Sequence, residues 1–184
     1  MRTRIFHAGV TMIELMIVVS IAALMAAIAA PSFADFIYST RLASTMSQLT
    51  SDLTRARSEA IKRNARVLFC KRSGSGCVSG THYETSGWVV CYDQDMNNVC
   101  DVSTPDNPNP IVVHDPPASM TLRLARPDAS TAPIFFNPNG RQGAGTPVTM
   151  TLTLIKPDGT PITGTSYATS SVATISVTGN ISKQ

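Results

Sequence analysis

A single carboxylate lies inside the most apolar stretch of the chain. From Val10 to Ala30 the only polar side chains are Thr11, Glu14 and Ser20. A run of about 20 apolar residues is long enough to cross a bilayer as a helix, and a charge near its centre costs about 2.5 kcal/mol or more. We therefore expect Glu14 to have an ion-pairing partner. The alternative is a signal anchor whose glutamate lies near the membrane interface without a function.

Four cysteines lie close together and could form disulfides or bind a metal: Cys70, Cys77, Cys91 and Cys100. Four cysteines allow three pairings. We favour Cys70–Cys77 and Cys91–Cys100, because each pair encloses a short segment rich in turn residues. The alternative is a four-cysteine zinc site, but such sites usually place about two to four residues between paired cysteines. Neither gap here fits that spacing.

Three oxygen-bearing side chains are spaced as at the start of an EF-hand calcium loop: Asp93, Asp95 and Asn97. That loop has glycine at its sixth position and glutamate at its twelfth, where this chain has Asn98 and Thr104. We therefore favour a hairpin turn, because Asp and Asn tolerate the backbone conformations of tight turns. Calcium binding is the alternative.

Motifs for catalysis or cofactor binding are absent from the sequence. His82 and His114 have no nucleophile and acid nearby in the chain, and no zinc-protease, serine-hydrolase or phosphate-loop motif occurs. Trp88 is interpreted as a core aromatic residue. We expect a protein that is not an enzyme, with no cofactor and no metal.

The charge pattern indicates a nearly neutral protein with one local basic cluster. The formal charge is +3, and removal of Arg2 and Arg4 with a leader leaves 3 − 2 = +1. The cluster follows the apolar run and is opposed within its window only by Glu59; it contains Arg55, Arg57, Lys62, Arg63, Arg66, Lys71 and Arg72. Such a cluster is either a phosphate-binding stripe or a solvated helix face that contacts neighbouring subunits.

One long helix is predicted from Val10 to Asn64, with a bend at Pro31. After Pro31, apolar residues recur at alternating steps of four and three, which places them on one helical face: Leu42, Met46, Leu49, Leu53, Ala56 and Ala60. We expect this stripe to pack on the rest of the protein.

Short β-type runs separated by Gly, Pro, Asn and Thr follow the helix. The predicted strands are Val67–Lys71, Trp88–Tyr92, Ile111–His114, Thr121–Ala125, Ile134–Asn137, Thr149–Ile155 and Val172–Val177. The predicted fold is therefore α+β, with a helix packed on an antiparallel sheet or pair of sheets.

The N-terminal motif resembles that of type IV prepilins and type II secretion pseudopilins. Residues 1–9 are basic, and Gly9 is followed by Val10-Thr11-Met12-Ile13-Glu14, where the family usually has Phe-Thr-Leu-Ile-Glu. Pro31 also stands where many pilins have a helix-loosening proline. The resemblance implies cleavage between Gly9 and Val10 by the prepilin peptidase, with N-methylation of Val10. It further implies that Glu14 sets subunit register by pairing with the new amino terminus of a neighbour.

Three head segments are similar to the GspH/FimT branch of the pilin-like superfamily, which includes the FimU-like proteins. These segments are Gly87–Asp93 with Asp101, Phe136–Arg141 and Thr174–Gly179. The resemblance implies a leader (1–9), a membrane and assembly helix (10–30), an amphipathic half of that helix (31–64) and a β-rich periplasmic head (65–184). The inner membrane, and later the pilus at the cell surface, is the expected location.

The function that the resemblance implies is that of a minor pilin, which primes assembly of a type IV pilus and lies at its tip. The expected partners are other minor pilins, the major pilin, the prepilin peptidase, the inner-membrane assembly platform and membrane lipid. A minor pseudopilin of a type II secretion system is the first alternative.

A DNA receptor for natural transformation is the second alternative, because some FimT-like proteins bind DNA through a C-terminal Gly-Arg-x-Arg motif. The matching place here reads Gly179-Asn180-Ile181-Ser182-Lys183, without the arginines. The candidate DNA contacts are Arg63, Arg66, Lys71, Arg72 and Lys183.

Overall fold

The structure is a computed structural model. It describes residues 10–83, 86–105, 108–117, 119–125, 127, 129–143, 145–155 and 170–183, with the backbone alone for residues 28–35. The leader and the predicted cleavage residue Gly9 lie outside the described residues. The chain divides into two compact units, Met1–Tyr38 and Ser39–Gln184, which we call the stalk segment and the head.

One helix, α1 (Met12–Arg63), begins in the stalk segment and ends in the head. It ends where Asn64 adopts a left-handed backbone conformation with φ of 51°. The Ala65 N–H then donates to the Ala60 carbonyl at 3.2 Å, and the Asn64 N–H donates to the Ile61 carbonyl at 3.4 Å. This pair of bonds is the Schellman motif, which satisfies the last helical carbonyls. The predicted long helix is confirmed.

The stalk segment has no buried side chain among those described. Every side chain from Val10 to Ala27 is exposed. No helix in the described part of the chain is both long enough and apolar enough to cross a membrane.

The described residues of the head form nine strands. Their bounds are β1 (Val67–Ser73), β2 (Gly76–Val78), β3 (Trp88–Tyr92), β4 (Val112–His114), β5 (Met120–Ala125), β6 (Ile134–Phe136), β7 (Val148–Leu154), β8 (Ser170–Ile175) and β9 (Ile181–Lys183). All seven predicted strands are present, with ends that differ by up to two residues. The strands β2 and β9 were not predicted, because Gly76–Val78 and Ile181–Lys183 do not lie in a run of β-branched or aromatic residues.

The strands form two antiparallel sheets. The first has the order β2-β1-β3-β4, and β6 also pairs with the start of β1. The second has the order β5-β7-β8-β9. The strands β4 and β9 are therefore the ends of their sheets among the described elements.

The main core of the head lies against one face of α1. The predicted stripe from Leu42 to Ala60 is confirmed, since its six residues are at most 3% exposed. Along β7 the side chains alternate between buried and half-buried, as the sequence predicts for Met150–Leu154. A second cluster covers the other side of β1 and β3 and contains Leu68, Cys70, Cys77, Val89 and Cys91.

Two glycines of the family-like segments lie where a side chain would collide with another strand or loop. A Cβ on Gly87 would stand 2.1 Å from the His114 carbonyl oxygen, and a Cβ on Gly179 would stand 2.1 Å from that of Gly140. Both have positive φ, of 69° and 79° respectively, which favours glycine. Glycine at position 87 therefore allows the end of β4 to lie against it, and glycine at position 179 allows the 137–140 loop to do the same.

Candidate functional site

The N-terminus of α1 is closed by reciprocal hydrogen bonds between Thr11 and Glu14. The Glu14 amide donates to Thr11 Oγ1 at 3.3 Å, and the Thr11 amide donates to Glu14 Oε2 at 3.4 Å. This is a capping box, which satisfies two of the free N–H groups at a helix N-terminus. Glu14 thus acts within its own chain, in addition to the predicted pairing between subunits. The Thr-x-x-Glu spacing could have indicated this role from sequence.

The part of α1 from Leu15 to Ala27 is apolar on all sides apart from Ser20. The large apolar side chains from Met12 to Met25 are 49% to 81% exposed. The one polar residue among them, Ser20, donates its hydroxyl to the Met16 carbonyl at 2.7 Å. A continuous apolar surface of this kind is typical of sites that contact lipid or other proteins. Most of the exposed large apolar side chains in the described part of the chain lie between Val10 and Met25.

A buried polar cluster in the head joins α1 to β3 and β4. Asp52, 8% exposed, accepts a hydrogen bond from Trp88 Nε1 at 2.9 Å, and its Oδ2 lies 2.9 Å from His114 Nε2. On the other side of the ring, Gln48 Nε2 lies 3.1 Å from His114 Nδ1. The ring hydrogen is therefore assigned to Nε2, because the carboxylate only accepts and the amide nitrogen only donates.

The electrostatics of this cluster favour a structural role. Burial raises the pKa of Asp52 above its usual value, against the opposing effects of the Trp88 hydrogen bond and of nearby His114 and Arg55. Asp52 and His114 are 62 residues apart in the sequence, so sequence analysis did not predict that they meet. Asp52 stands three residues after Leu49 and four before Ala56, a spacing that could have placed it beside the apolar stripe. No hydroxyl or thiol nucleophile bonds to His114 in the described contacts, and Trp88 is a core residue as predicted.

A second polar cluster occupies the last turns of α1. The Tyr92 hydroxyl donates to Glu59 Oε2 at 2.6 Å, and Arg63 Nε lies 3.1 Å from the same oxygen. The Arg63 guanidinium also stacks 4.6 Å from the centre of the Tyr92 ring. The Tyr92 hydrogen bond is the main cause of the lowered pKa of Glu59, and burial raises the pKa of Tyr92.

A third cluster fixes the loop after β3. Asp93 is fully buried, and its Oδ2 lies 3.3 Å from Arg66 Nε. The Arg66 guanidinium also donates to the Met96 carbonyl at 3.3 Å and to Asn98 Oδ1. It lies 3.9 Å from the centre of the Phe135 ring. Burial raises the pKa of Asp93, against the opposing effect of the Arg66 charge.

The disulfides pair as predicted. Cys70 bonds to Cys77 and Cys91 bonds to Cys100, with Cα–Cα distances of 5.6 and 5.4 Å. No cysteine is free, which excludes the four-cysteine zinc site in this state. The first disulfide closes the β1–β2 hairpin, and the second closes the loop that Asp93 begins.

The acidic turn after β3 brings together the carboxylates of Asp93, Asp95 and Asp101, whose ligand atoms lie within 4.8 Å of one another. Backbone amides already bond to all three: Asn97 and Asn98 donate to Asp93, Asn97 also donates to Asp95, and Gln94 donates to Asp101. Asn97, which would be a ligand only in the calcium alternative, donates its amide N–H within this turn and accepts from the Val99 amide. These bonds favour the predicted hairpin-type turn.

The candidate DNA-contacting residues are divided among several elements, and three of them have partners within the protein. Arg63 and Arg66 belong to the clusters above, and Arg72 lies 2.8 Å from Asp115. Lys71 is on β1, and Lys183 is on β9 in the other sheet. Within the basic cluster, Arg57 instead donates to the carbonyls of Gly140 and Thr178, which holds two loops against α1.

The fold defines the pilin-like class of α+β proteins. Its long N-terminal helix is apolar and exposed at its start, and antiparallel sheets pack on the later part of that helix within the head. The family model for the type II transport protein GspH matches residues 45–179. Because this match spans more than half of the chain, the protein belongs to the GspH family of minor pilins and pseudopilins. The predicted fold class and family are confirmed.

The fold is similar to that of the type IV minor pilin FimU of Pseudomonas aeruginosa. One crystal structure of FimU is 19% identical, covers 81% of this chain and 92% of its own, and has a TM-score of 0.51. A second crystal form is also 19% identical, covers 78% and 92% respectively, and has a TM-score of 0.49. At this identity the likeness is one of fold. No match is found among curated protein sequences.

Proposed function

We propose that this protein is a minor pilin of a type IV pilus, which helps to prime pilus assembly and lies in the tip complex. The observation that carries this proposal is the exposed apolar surface of α1 from Val10 to Ala27. A helix that is apolar on all sides needs lipid or other apolar helices around it. In this proposal, lipid surrounds the helix before assembly, and other minor pilins and the major pilin surround it afterwards.

The sequence supports insertion of the subunit into the inner membrane before assembly. Residues 10–30 contain three polar side chains, and Arg2 and Arg4 precede them. Positive residues before a membrane segment keep that end in the cytoplasm, so the head lies in the periplasm. The two disulfides suit that compartment, because it is oxidising. The prepilin peptidase then cleaves between Gly9 and Val10 and methylates Val10, and the assembly platform adds the subunit to the fibre.

We assign Glu14 two roles that different variants can separate. Its carboxylate closes the capping box with Thr11 in the free subunit. During assembly it pairs with the amino terminus of a neighbouring subunit, since two opposite charges in lipid offset much of each other's cost. The second role sets the register of one subunit against the next.

Two matched substitutions test the assembly role in whole cells. Glu14→Gln keeps a side chain that can complete a capping box but removes the charge, whereas Thr11→Val removes the cap hydroxyl and keeps the charge. We expect Glu14→Gln to lower the amount of this protein in sheared pili by about tenfold or more, equivalent to about 1.4 kcal/mol. Thr11→Val should lower it much less.

Processing is checked separately by the intact mass of the membrane-extracted protein. A mature chain that begins at methylated Val10 is expected for wild type and both variants. Normal pilus content of the Glu14→Gln variant would contradict the pairing role, and a chain that retains residues 1–9 would contradict the proposed function itself.

A minor pseudopilin of a type II secretion system is the second candidate, and the match to the family model of the type II transport protein GspH favours it. The two candidates share the helix, the processing and the head. A deletion strain distinguishes them: loss of twitching with normal secretion supports the minor pilin. Loss of secretion with normal twitching supports the pseudopilin.

A further inference from the structure

A groove of about 570 Å³ lies in the head between α1 and the end strand β9. Its α1 wall consists of Ser47, Thr50, Ser51, Thr54, Arg55 and Ser58, and its other wall consists of Ile181 and Lys183. We call it the α1–β9 groove. Of its lining residues, only Arg55 acts on a cluster described above, since its charge lowers the pKa of Asp52.

The strand β9 has backbone groups that point away from its partner strand β8. Ser176 and Asn180 form a hydrogen-bonded position at the start of the β8–β9 hairpin, because the Ser176 N–H donates to the Asn180 carbonyl at 2.9 Å. In an antiparallel pair, hydrogen-bonded positions alternate with positions whose N–H and C=O groups face away from the partner strand. The register Ile175–Ile181, Thr174–Ser182 and Ala173–Lys183 therefore turns the backbone of Ile181 and Lys183 away from β8.

The residues with outward backbone groups are the two that line the groove. No described strand pairs with this side of β9. An unpaired strand edge is a template for another extended chain, and proteins use such edges to bind peptides by strand addition.

The α1 wall is suited to close approach of a backbone. Its hydroxyl groups bond to carbonyls of the helix itself: Thr50 to Met46 at 3.0 Å, Thr54 to Thr50 at 2.7 Å and Ser58 to Arg55 at 2.9 Å. These three hydroxyl groups therefore need no hydrogen bond from a ligand. The Ser and Thr side chains are short, which lets a ligand backbone come close to the helix. From Ser47 to Ser58 the wall extends about 16 Å along the helix axis, which matches the length of about five extended residues.

The charge of the groove is positive. Arg55 and Lys183 have no ion pair in the described part of the chain, while the two acids nearest to Arg55 on α1 have other partners. Asp52 bonds to Trp88 and His114, and Glu59 bonds to Tyr92 and Arg63. An occupant with acidic side chains is thus favoured over a neutral or basic one.

We propose that the α1–β9 groove binds an extended, acidic segment of a neighbouring subunit, which adds a strand to β9. The identity of that neighbour as another pilin rests on the proposed function. The outward N–H and C=O groups of Ile181 and Lys183 bind its backbone. Arg55 and Lys183 bind its carboxylates. The interaction joins heads, and is separate from contacts made by the stalk segment.

The test uses the full-length protein in cells, with the photo-crosslinker p-benzoylphenylalanine in place of Ser51. The expected result is a crosslink to one segment of another subunit, and mass spectrometry should identify that segment as one with an Asp or Glu. A crosslink to residues 156–169 of the same chain, a product removed by nuclease, or no crosslink would overturn the proposal.

Charge and backbone variants then test the two binding elements. The double variant Arg55→Glu/Lys183→Glu should lower the crosslink yield at position 51 by about tenfold or more. Lys183→Pro should lower it by about threefold to tenfold, because it removes one outward N–H donor while the ladder to β8 does not use that group. The control is Lys62→Glu, which reverses one charge on an exposed part of α1 outside the groove.

The control variant should leave the yield unchanged, and all variants should keep the thermal unfolding midpoint of the wild type. A yield that falls equally with Lys62→Glu would overturn the proposal. If the wild type enters pili but position 51 gives no crosslink, the groove proposal fails and the minor-pilin proposal stands. If the protein does not enter pili and does not require Glu14, the proposed function fails instead.

Discussion

The two ends of α1 are both rich in apolar residues, yet their surroundings differ completely. From Val10 to Ala27 every side chain is exposed, whereas the stripe from Leu42 to Ala60 is at most 3% exposed. The first stretch is apolar around the whole helix, and the second is apolar on one face. The difference shows that the angular spread of apolar residues, more than their number, distinguishes the exposed stretch of the helix from the stretch that packs on the core.

The largest effect that tests this comparison is expected from Leu53→Ala. Leu53 is fully buried, so its truncation should lower the free energy of unfolding of the head by about 2 to 5 kcal/mol. The matched change in the exposed stretch, Leu15→Ala, should alter that free energy by less than about 0.5 kcal/mol. Denaturant titration followed by Trp88 fluorescence measures both. Equal losses of unfolding free energy in the two variants would show that Leu15 and Leu53 are equally buried.

A smaller effect is expected from enlarging an alanine. Ala56 is fully buried on the stripe, and Ala56→Leu should destabilise the head by about 1 to 3 kcal/mol through overpacking. Ala22 is exposed, and Ala22→Leu should leave the unfolding of the head unchanged. A shift of the unfolding midpoint by Ala22→Leu would contradict the exposed assignment.

Asp52, which is buried beside the stripe, should make the free energy of unfolding of the head depend on pH. Burial raises the pKa of Asp52 above its usual 3.8, so the folded head binds this proton more tightly than the unfolded chain. Its contribution to stability is therefore present below 3.8 and is lost as the pH rises through the raised folded value. The Asp52→Asn variant lacks this dependence.

The measurement compares the free energies of unfolding of wild type and the Asp52→Asn variant as the pH is lowered from neutral towards 3.8. The value for wild type minus that for the variant should increase. A constant difference would show that the pKa of Asp52 is the same in the folded and unfolded states.

The smallest effect on the head is expected from the capping box. Thr11→Val should weaken the first turn of α1 by about 1 kcal/mol without changing the unfolding of the head. Hydrogen exchange of the amides of Glu14 and Leu15, which bond to Thr11, should become about fivefold faster, while the amides of Leu49 and Leu53 should stay as protected as before. Unchanged exchange at the first turn would contradict the capping role of Glu14.

Patterns within short stretches of sequence were sufficient to predict most of the fold. The helix, the stripe and seven strands follow from periodicity, and the disulfide pairs follow from loop length. The sequence could not indicate the three-residue strand β9, because its position depends on pairing with β8. It also could not show that Arg57 and Arg66 bond within the protein, because their partners lie far along the chain.

The sequence alone determined which family the protein belongs to and which face of α1 is apolar, because those properties depend on residues at fixed, short spacings. Only the tertiary structure decided that Asp52 meets Trp88 and His114, and that β9 and Arg55 line the same groove. Those contacts join residues on different elements, and their distances are set by how the sheets pack on the helix.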